Sequence, residues 1–254
     1  MSIVRSWFRV VTAITVAVLV VAGCGGDDDS ASPRPLTDDE ANLLANALFD
    51  NYAAGGATFQ LAIQVAPGAT INLQGEIDWS THRGHAIVVG KGTEEGIQEV
   101  FWDDASVVER RDGLVSVLAQ TGHPGVGFVG RPVDVERRDL DQALALVTGL
   151  ASEQRDNPLL IKQTEGSGFV RTDELHGVAA NVLRYGPLTT YWLAADDARM
   201  LRFEGNNTPG TRPVVIELLG LGAQQIEPPP SDQIVDVAEI AELYDGVVSA
   251  PASG

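Results

Sequence analysis

Phe59-Gln60-Leu61-Ala62-Ile63-Gln64-Val65, then Ala66-Pro67-Gly68-Ala69-Thr70, then Ile71-Asn72-Leu73-Gln74-Gly75-Glu76-Ile77-Asp78-Trp79 is the stretch that decides the fold. Apolar residues recur at every second position in the first arm, which puts Phe59, Leu61, Ile63 and Val65 on one side of a strand. Pro67-Gly68 supplies a turn. In the second arm Ile71, Leu73, Ile77 and Trp79 fall on the same side, opposite Asn72, Gln74, Glu76 and Asp78. The pair therefore reads as an antiparallel hairpin with one apolar face, and such a face must be buried against a second layer.

Upstream, Thr37-Asp38-Asp39-Glu40 is a capping box, in which the Thr37 hydroxyl accepts from the Glu40 amide and the Glu40 carboxylate reaches back. Leu43, Leu44, Ala47, Leu48 and Tyr52 follow at helical spacing, so a helix is expected from Asp38 to about Ala53, ended by Gly55-Gly56. Downstream, short strands are expected at about Gly84 to Val89, Gln98 to Trp102, Ser106 to Arg110 and Leu114 to Leu118. Thr121 to Arg138 reads as a long irregular stretch, able to act as a mouth or lid. Leu140, Leu144, Val147 and Leu150 predict a second helix. Strands resume at about Gly168 to Arg171, Val178 to Arg184, Thr189 to Leu193, Met200 to Glu204 and Val214 to Leu218. Pro228-Pro229-Pro230 is expected to close the sheet, with a terminal helix from Val235 to Tyr244. Strands on either side of a central helical segment, without regular βαβ alternation, predict an α+β fold around a large antiparallel sheet.

The whole chain has 254 residues, 17 basic and 35 acidic, for a formal charge of −18. With lysine at Lys91 and Lys162 alone, it lacks the basic clusters that hold phosphates, which excludes nucleic acid as a partner. One cysteine makes neither an intramolecular disulfide nor a thiolate zinc cage. An apolar fraction of 44% is that of a folded protein.

That cysteine has a telling position. Arg5 and Arg9 precede an uncharged apolar run from Val10 to Ala22, which ends in Val21-Ala22-Gly23-Cys24 and two glycines. A basic flank, an apolar run and small residues make a signal peptide over residues 1–23. The run spans roughly 20 Å as a helix, short of a ~30 Å hydrocarbon core, although counting Trp7 and Phe8 leaves a spanning helix open. The end of the run resembles the lipobox of bacterial lipoproteins. The resemblance implies a diacylglyceryl group on Cys24, cleavage before it, and residence on the outer face of the cytoplasmic membrane. Residues 24–36, containing GGDDDSASPRP, read as an acylated cysteine and flexible tether, residues 37–246 as one domain, and residues 247–254 as a disordered tail.

Leu175-His176-Gly177, the strand VAANVLRY, and Tyr191-Trp192-Leu193-Ala194-Ala195-Asp196-Asp197-Ala198-Arg199-Met200-Leu201-Arg202 resemble the corresponding region of the LolA-like lipid carriers and the mycobacterial LppX and LprG lipoproteins. The resemblance implies a curved antiparallel half-barrel covered by helices on its concave side, holding a lipid or glycolipid, with no catalytic residues and no cofactor. Phe59, Leu61, Ile63, Val65, Ile71, Leu73, Ile77 and Trp79 are then the cavity candidates. On the pattern alone, apolar strand faces covered by helices are more often a solid core. With a solid core, the domain would instead be an envelope interaction module that binds a protein partner.

Other motifs lose their chemistry on inspection. Gly125-Val126-Gly127-Phe128-Val129-Gly130 matches a dinucleotide fingerprint in letters. Pro124 before it and Arg131-Pro132 after it oppose the required strand and helix, so a flexible loop is expected. His82 and His85 near Asp78 lie in a turn, where side chains diverge, so no zinc site is expected. Asp103-Asp104 and Asp196-Asp197 are explained by turn chemistry.

Overall fold

The computed structural model describes residues 34–66, 69–88, 96–111, 113–205 and 214–248, with residues 65, 66, 69 and 246–248 described by backbone alone. The chain runs α1 (Asp38–Ala54), β1 (Gly56–Ala66), β2 (Ala69–Asp78), β3 (Arg83–Val88), β4 (Ile97–Trp102), β5 (Ser106–Arg111), α2 (Leu114–Gln120), β6 (Phe128–Pro132), α3 (Asp139–Thr148) and α4 (Pro158–Gln163). It continues through β7 (Gly168–Leu175), β8 (Val178–Tyr185), β9 (Thr189–Ala194), β10 (Met200–Gly205), β11 (Val214–Leu221), β12 (Ile234–Asp236) and α5 (Ala241–Val248).

All the strands form one curved, unclosed sheet in the order β12-β6-β5-β4-β3-β2-β1-β11-β10-β9-β8-β7. The order describes two meanders. β1 to β6 step outward on one side, β11 back to β7 on the other, and the β1–β11 pairing joins them. Neighbours are antiparallel except β12, which lies parallel to β6. To pass from the β6 edge to the β7 edge the chain must cross the sheet, and α3 and α4 lie on that crossing. The hairpin of β1 and β2 has the expected register, with Ile63 opposite Ile71 and Leu61 opposite Leu73.

The inner face is filled. Ala41, Leu44, Ala45 and Ala47 of α1 and Leu140, Ala143, Leu144 and Val147 of α3 form one buried cluster with Phe59, Leu73, Ile77 and Trp79 of the first meander. Leu183, Leu193 and Ile216 of the second meander belong to it too. A smaller cluster unites α2, β6 and the C-terminal segment through Leu114, Leu118, Val129, Val235, Ile240 and Tyr244. A third, around Trp192, Val182 and Leu201, lies on the outer face.

Helix α1 starts at the expected capping box, with the Glu40 amide 3.2 Å from the Thr37 hydroxyl and the Thr37 amide 2.9 Å from the Glu40 carboxylate. It ends at Gly55, whose φ of 83° is the left-handed conformation that glycine adopts without strain. The fold begins before the helix. Arg34 pairs its backbone with Phe169 in β7 and lays its guanidinium over that ring, and Leu36 is buried. The last residues assigned to the tether are thus part of the domain.

Four local expectations are corrected. Leu114 to Leu118 is helix α2, because residues four apart share a face in a strand and in a helix alike, and Leu114 and Leu118 are both fully buried. Phe128 to Pro132, expected within a flexible loop or lid, is strand β6, paired with β5 and β12. The terminal helix is confined to Ala241–Val248, preceded by β12 and a 3₁₀ turn, so the sheet extends past the proline run. Helix α4 was not expected from periodicity, although Asn157 caps it and Pro158 opens it.

Candidate functional site: an apolar groove beside helix α3

Seven of the eight sequence-predicted cavity residues, Phe59, Leu61, Ile63, Ile71, Leu73, Ile77 and Trp79, share the inner face and are at most 5% exposed. They pack against one another and against α1 and α3. The Val65 side chain and Cys24 lie outside the described residues.

Open space lies next to this cluster. A groove of about 470 Å³ runs between α3 and the β8–β10 part of the inner face. Val135, Ala145, Leu146 and Leu150 form one wall, Tyr185, Tyr191 and Phe203 the other, with Gln142, Gly149 and Thr189 completing the lining. Its volume lies within the range of small-molecule sites. The Tyr191 and Phe203 rings meet edge to face, with centroids 5.4 Å apart. Burial pushes the Tyr191 phenol well above its usual range, and Asp156 and Tyr185 add to the shift, so the groove presents a neutral hydroxyl.

The α3 wall is held from beneath. The Trp79 indole N–H donates to the Val147 carbonyl (3.1 Å), that of Trp102 to the Thr148 hydroxyl (3.1 Å), and the Asn51 amide to the Leu150 carbonyl (2.7 Å). The bond from Trp79 adds a second donor to the Val147 carbonyl, which also accepts the Leu150 amide at 3.3 Å, and the bond from Asn51 holds the Leu150 carbonyl just past the helix end. At the other end, Arg131 of β6 grips Asp141 of α3 with both terminal nitrogens at 2.7 Å and reaches Glu109 of β5 at 3.2 Å. Arg111 bonds Glu109 at 2.7 Å, and the Tyr244 hydroxyl donates to the same carboxylate. Burial alone would raise the Glu109 carboxyl, but the neighbouring Arg111 and Arg131 outweigh it and hold the group below its usual range. The rigid helix and its charged fastening explain how a groove persists beside a closely packed core.

Other hollows occur among the described residues. One of about 350 Å³, by Trp102, Val133 and Leu144, adjoins the groove and shares Val135, Ala145 and Gly149 with it. Two on the outer face, about 370 and 290 Å³, share Gln60 and Glu217 in their linings. The histidines near Asp78 do not converge. His82 faces Asp104 at 2.8 Å, His85 faces Glu99 at 3.0 Å, and Asp78 binds the amides and hydroxyl of its own turn. Among the described residues, no group of three or more histidine, cysteine or acidic side chains is arranged to hold a metal ion.

Sequence reasoning missed the groove-lining residues. Tyr191 and Leu193 alternate in β9, which marked an inner face, but nothing in the chain order shows that α3 stands off from Tyr185, Tyr191 and Phe203.

No known family matches the chain by sequence, and no curated protein does so. Among solved structures, the chain is similar to a LolA superfamily protein from Nitrosomonas europaea, at 7% identity over 76% of this chain and 96% of that one, with a TM-score of 0.30. An uncharacterized conserved protein from Thermus thermophilus matches at 12% identity over 71% and 88%, with a TM-score of 0.35. The MucA/MucB complex of Pseudomonas aeruginosa matches at 15% over 77% of this chain and 59% of that one, with a TM-score of 0.33. Likenesses of this size describe an outline, and the functional reading rests on the chain's own groove.

Proposed function

We propose that this protein is a lipoprotein of the cell envelope, anchored through acylated Cys24, that binds the apolar part of a lipid or glycolipid in the groove beside α3 without covalent chemistry. The observation that carries the reading is the groove itself: about 470 Å³ walled by Leu146, Leu150, Tyr185, Tyr191 and Phe203. Exclusion of water from such walls favours an acyl chain, and the neutral Tyr191 hydroxyl offers a hydrogen bond to a polar linkage near it. The test is native mass spectrometry of residues 25–254 after incubation with an envelope lipid extract. A bound species of lipid mass is expected, and its absence overturns the reading.

The filled inner face favours a second reading, in which the domain binds an envelope protein. In that case the lipid experiment yields only the free protein, and crosslinking in intact cells yields a specific protein adduct.

A further inference from the structure

The groove and the hollow beside Trp102 meet over the exposed edge of α3. Ala145 and Gly149, four residues apart at the helix end, line both, as does Val135 in the loop before the helix. With only a methyl group and a glycine at this edge, the two spaces run into one another, and one molecule can occupy both.

Their chemistry differs. Apart from the two tyrosines, the groove lining carries no ionisable side chain. The hollow has a buried apolar floor of Trp102, Val107 and Leu144, and a more exposed polar rim of His82, Asp103 and Asp104. No lysine or arginine lines it, and Asp141, which does, is already gripped by Arg131. Burial opposes ionisation of Asp103, but the amides of Ala105 and Ser106 and the Ser106 hydroxyl outweigh it and hold the carboxyl below its usual range. Those three bonds all fall on Oδ1 of Asp103, and His82 faces Oδ2 of Asp104 at 2.8 Å. Among the described residues, the second oxygen of each carboxylate has no hydrogen bond.

We infer that the ligand of the groove lays an uncharged, hydroxyl-rich headgroup of the glycosyl class in the hollow beside Trp102, while its acyl part stays in the groove and the two join over Ala145 and Gly149. The inference rests on the groove-binding reading above and deepens it by naming the headgroup. Carboxylate oxygens accept from hydroxyls and repel phosphate or sulfate, which would find no lysine or arginine here to offset the repulsion. Acceptors spread along one rim above an apolar floor suit the several hydroxyls and the C–H face of a sugar, where a lone ammonium would use a single contact.

The test is native mass spectrometry of residues 25–254, which keep every described element, with three lipids of matched acyl chains: digalactosyldiacylglycerol, phosphatidylethanolamine and phosphatidylglycerol. The galactolipid is expected to be captured at least fivefold more than phosphatidylglycerol. Asp104→Lys changes an exposed rim position and is expected to cut that ratio below twofold, whereas Glu174→Lys, the same change of charge on the edge strand β7, is expected to leave it intact. Equal capture of galactolipid and phosphatidylglycerol, or an equal response to the two variants, overturns the headgroup seat while the groove reading stands. Capture of phosphatidylethanolamine above the galactolipid overturns the sugar assignment. Capture of none of the three overturns the groove reading itself, and the inference with it.

Discussion

Arg131 and Asp141 form a two-bond fork between β6 and α3, at 2.7 Å for each bond, with both side chains buried. The fork ties the sheet edge to the helix that walls the groove. Asp141 also accepts the amide of Asp134 at 2.7 Å, which fixes the loop leading into α3. Glu109 and Arg111 complete a network of two acids and two bases, so the buried charge is balanced.

Asp141→Ala is expected to destabilise the fold by about 3 to 5 kcal/mol, because it strands the Arg131 guanidinium in a buried site. The double variant Arg131→Met with Asp141→Leu leaves Glu109 paired with Arg111 and is expected to lose less than the single change. Urea unfolding followed by tryptophan fluorescence checks the order.

Acid stability follows from Glu109 and Glu40. The Arg34 hydrogen bond, against burial, holds Glu40 at about 2, below its ordinary 4.5, and the two arginines hold Glu109 low as well. Carboxyls lowered in the folded state stabilise it above their unfolded pKa, and the contribution fades as pH falls through the folded value. The urea midpoint is expected to be flat from pH 8 to 5 and to decline below roughly pH 4. Glu40→Gln should flatten part of that decline, measured as midpoint against pH.

Trp79→Phe removes one of two donors to the Val147 carbonyl, which keeps the Leu150 amide at 3.3 Å. The expected cost is that of one hydrogen bond, about 0.5 to 1.5 kcal/mol. Lipid capture should weaken as well, because the α3 wall loses one of its fastenings. Thermal unfolding and the lipid-bound fraction in native mass spectra report the two effects separately.

Ala145 lines the groove but is exposed rather than packed in the core. Ala145→Trp is expected to fill the groove and abolish lipid capture while changing stability by less than about 0.5 kcal/mol. Full lipid binding by this variant places the ligand elsewhere.

Cys24→Ser is expected to move the protein from the membrane to the soluble fraction, read by ultracentrifugation and immunoblotting. Retention in the membrane pellet argues for a spanning segment upstream.

Local rules made much of the fold legible. The Thr37-to-Glu40 capping box and the alternation from Phe59 to Trp79 each depend on neighbours in the chain, and the helix and hairpin lie where those rules put them. Strands β8 to β11 were legible for the same reason. Residues 114–118 were not, since Leu114 and Leu118 satisfy both periodicities and only the surfaces they pack against choose between them. Val129 and Arg131 lie between glycine and proline, and their strand exists because β5 and the distant β12 supply hydrogen bonds on either side.

The sequence by itself determined the α+β class, the apolar face of the first hairpin and the position of Cys24 after an apolar run, because each is written in contiguous residues. Tertiary structure alone decided which apolar faces are filled and which stand open. Leu73 and Tyr191 both lie on the inner face, yet one is packed in the core and the other lines a groove beside α3. That difference follows from where the chain crosses from the β6 edge to the β7 edge and from the buried bonds that hold α3 there, among residues far apart in sequence.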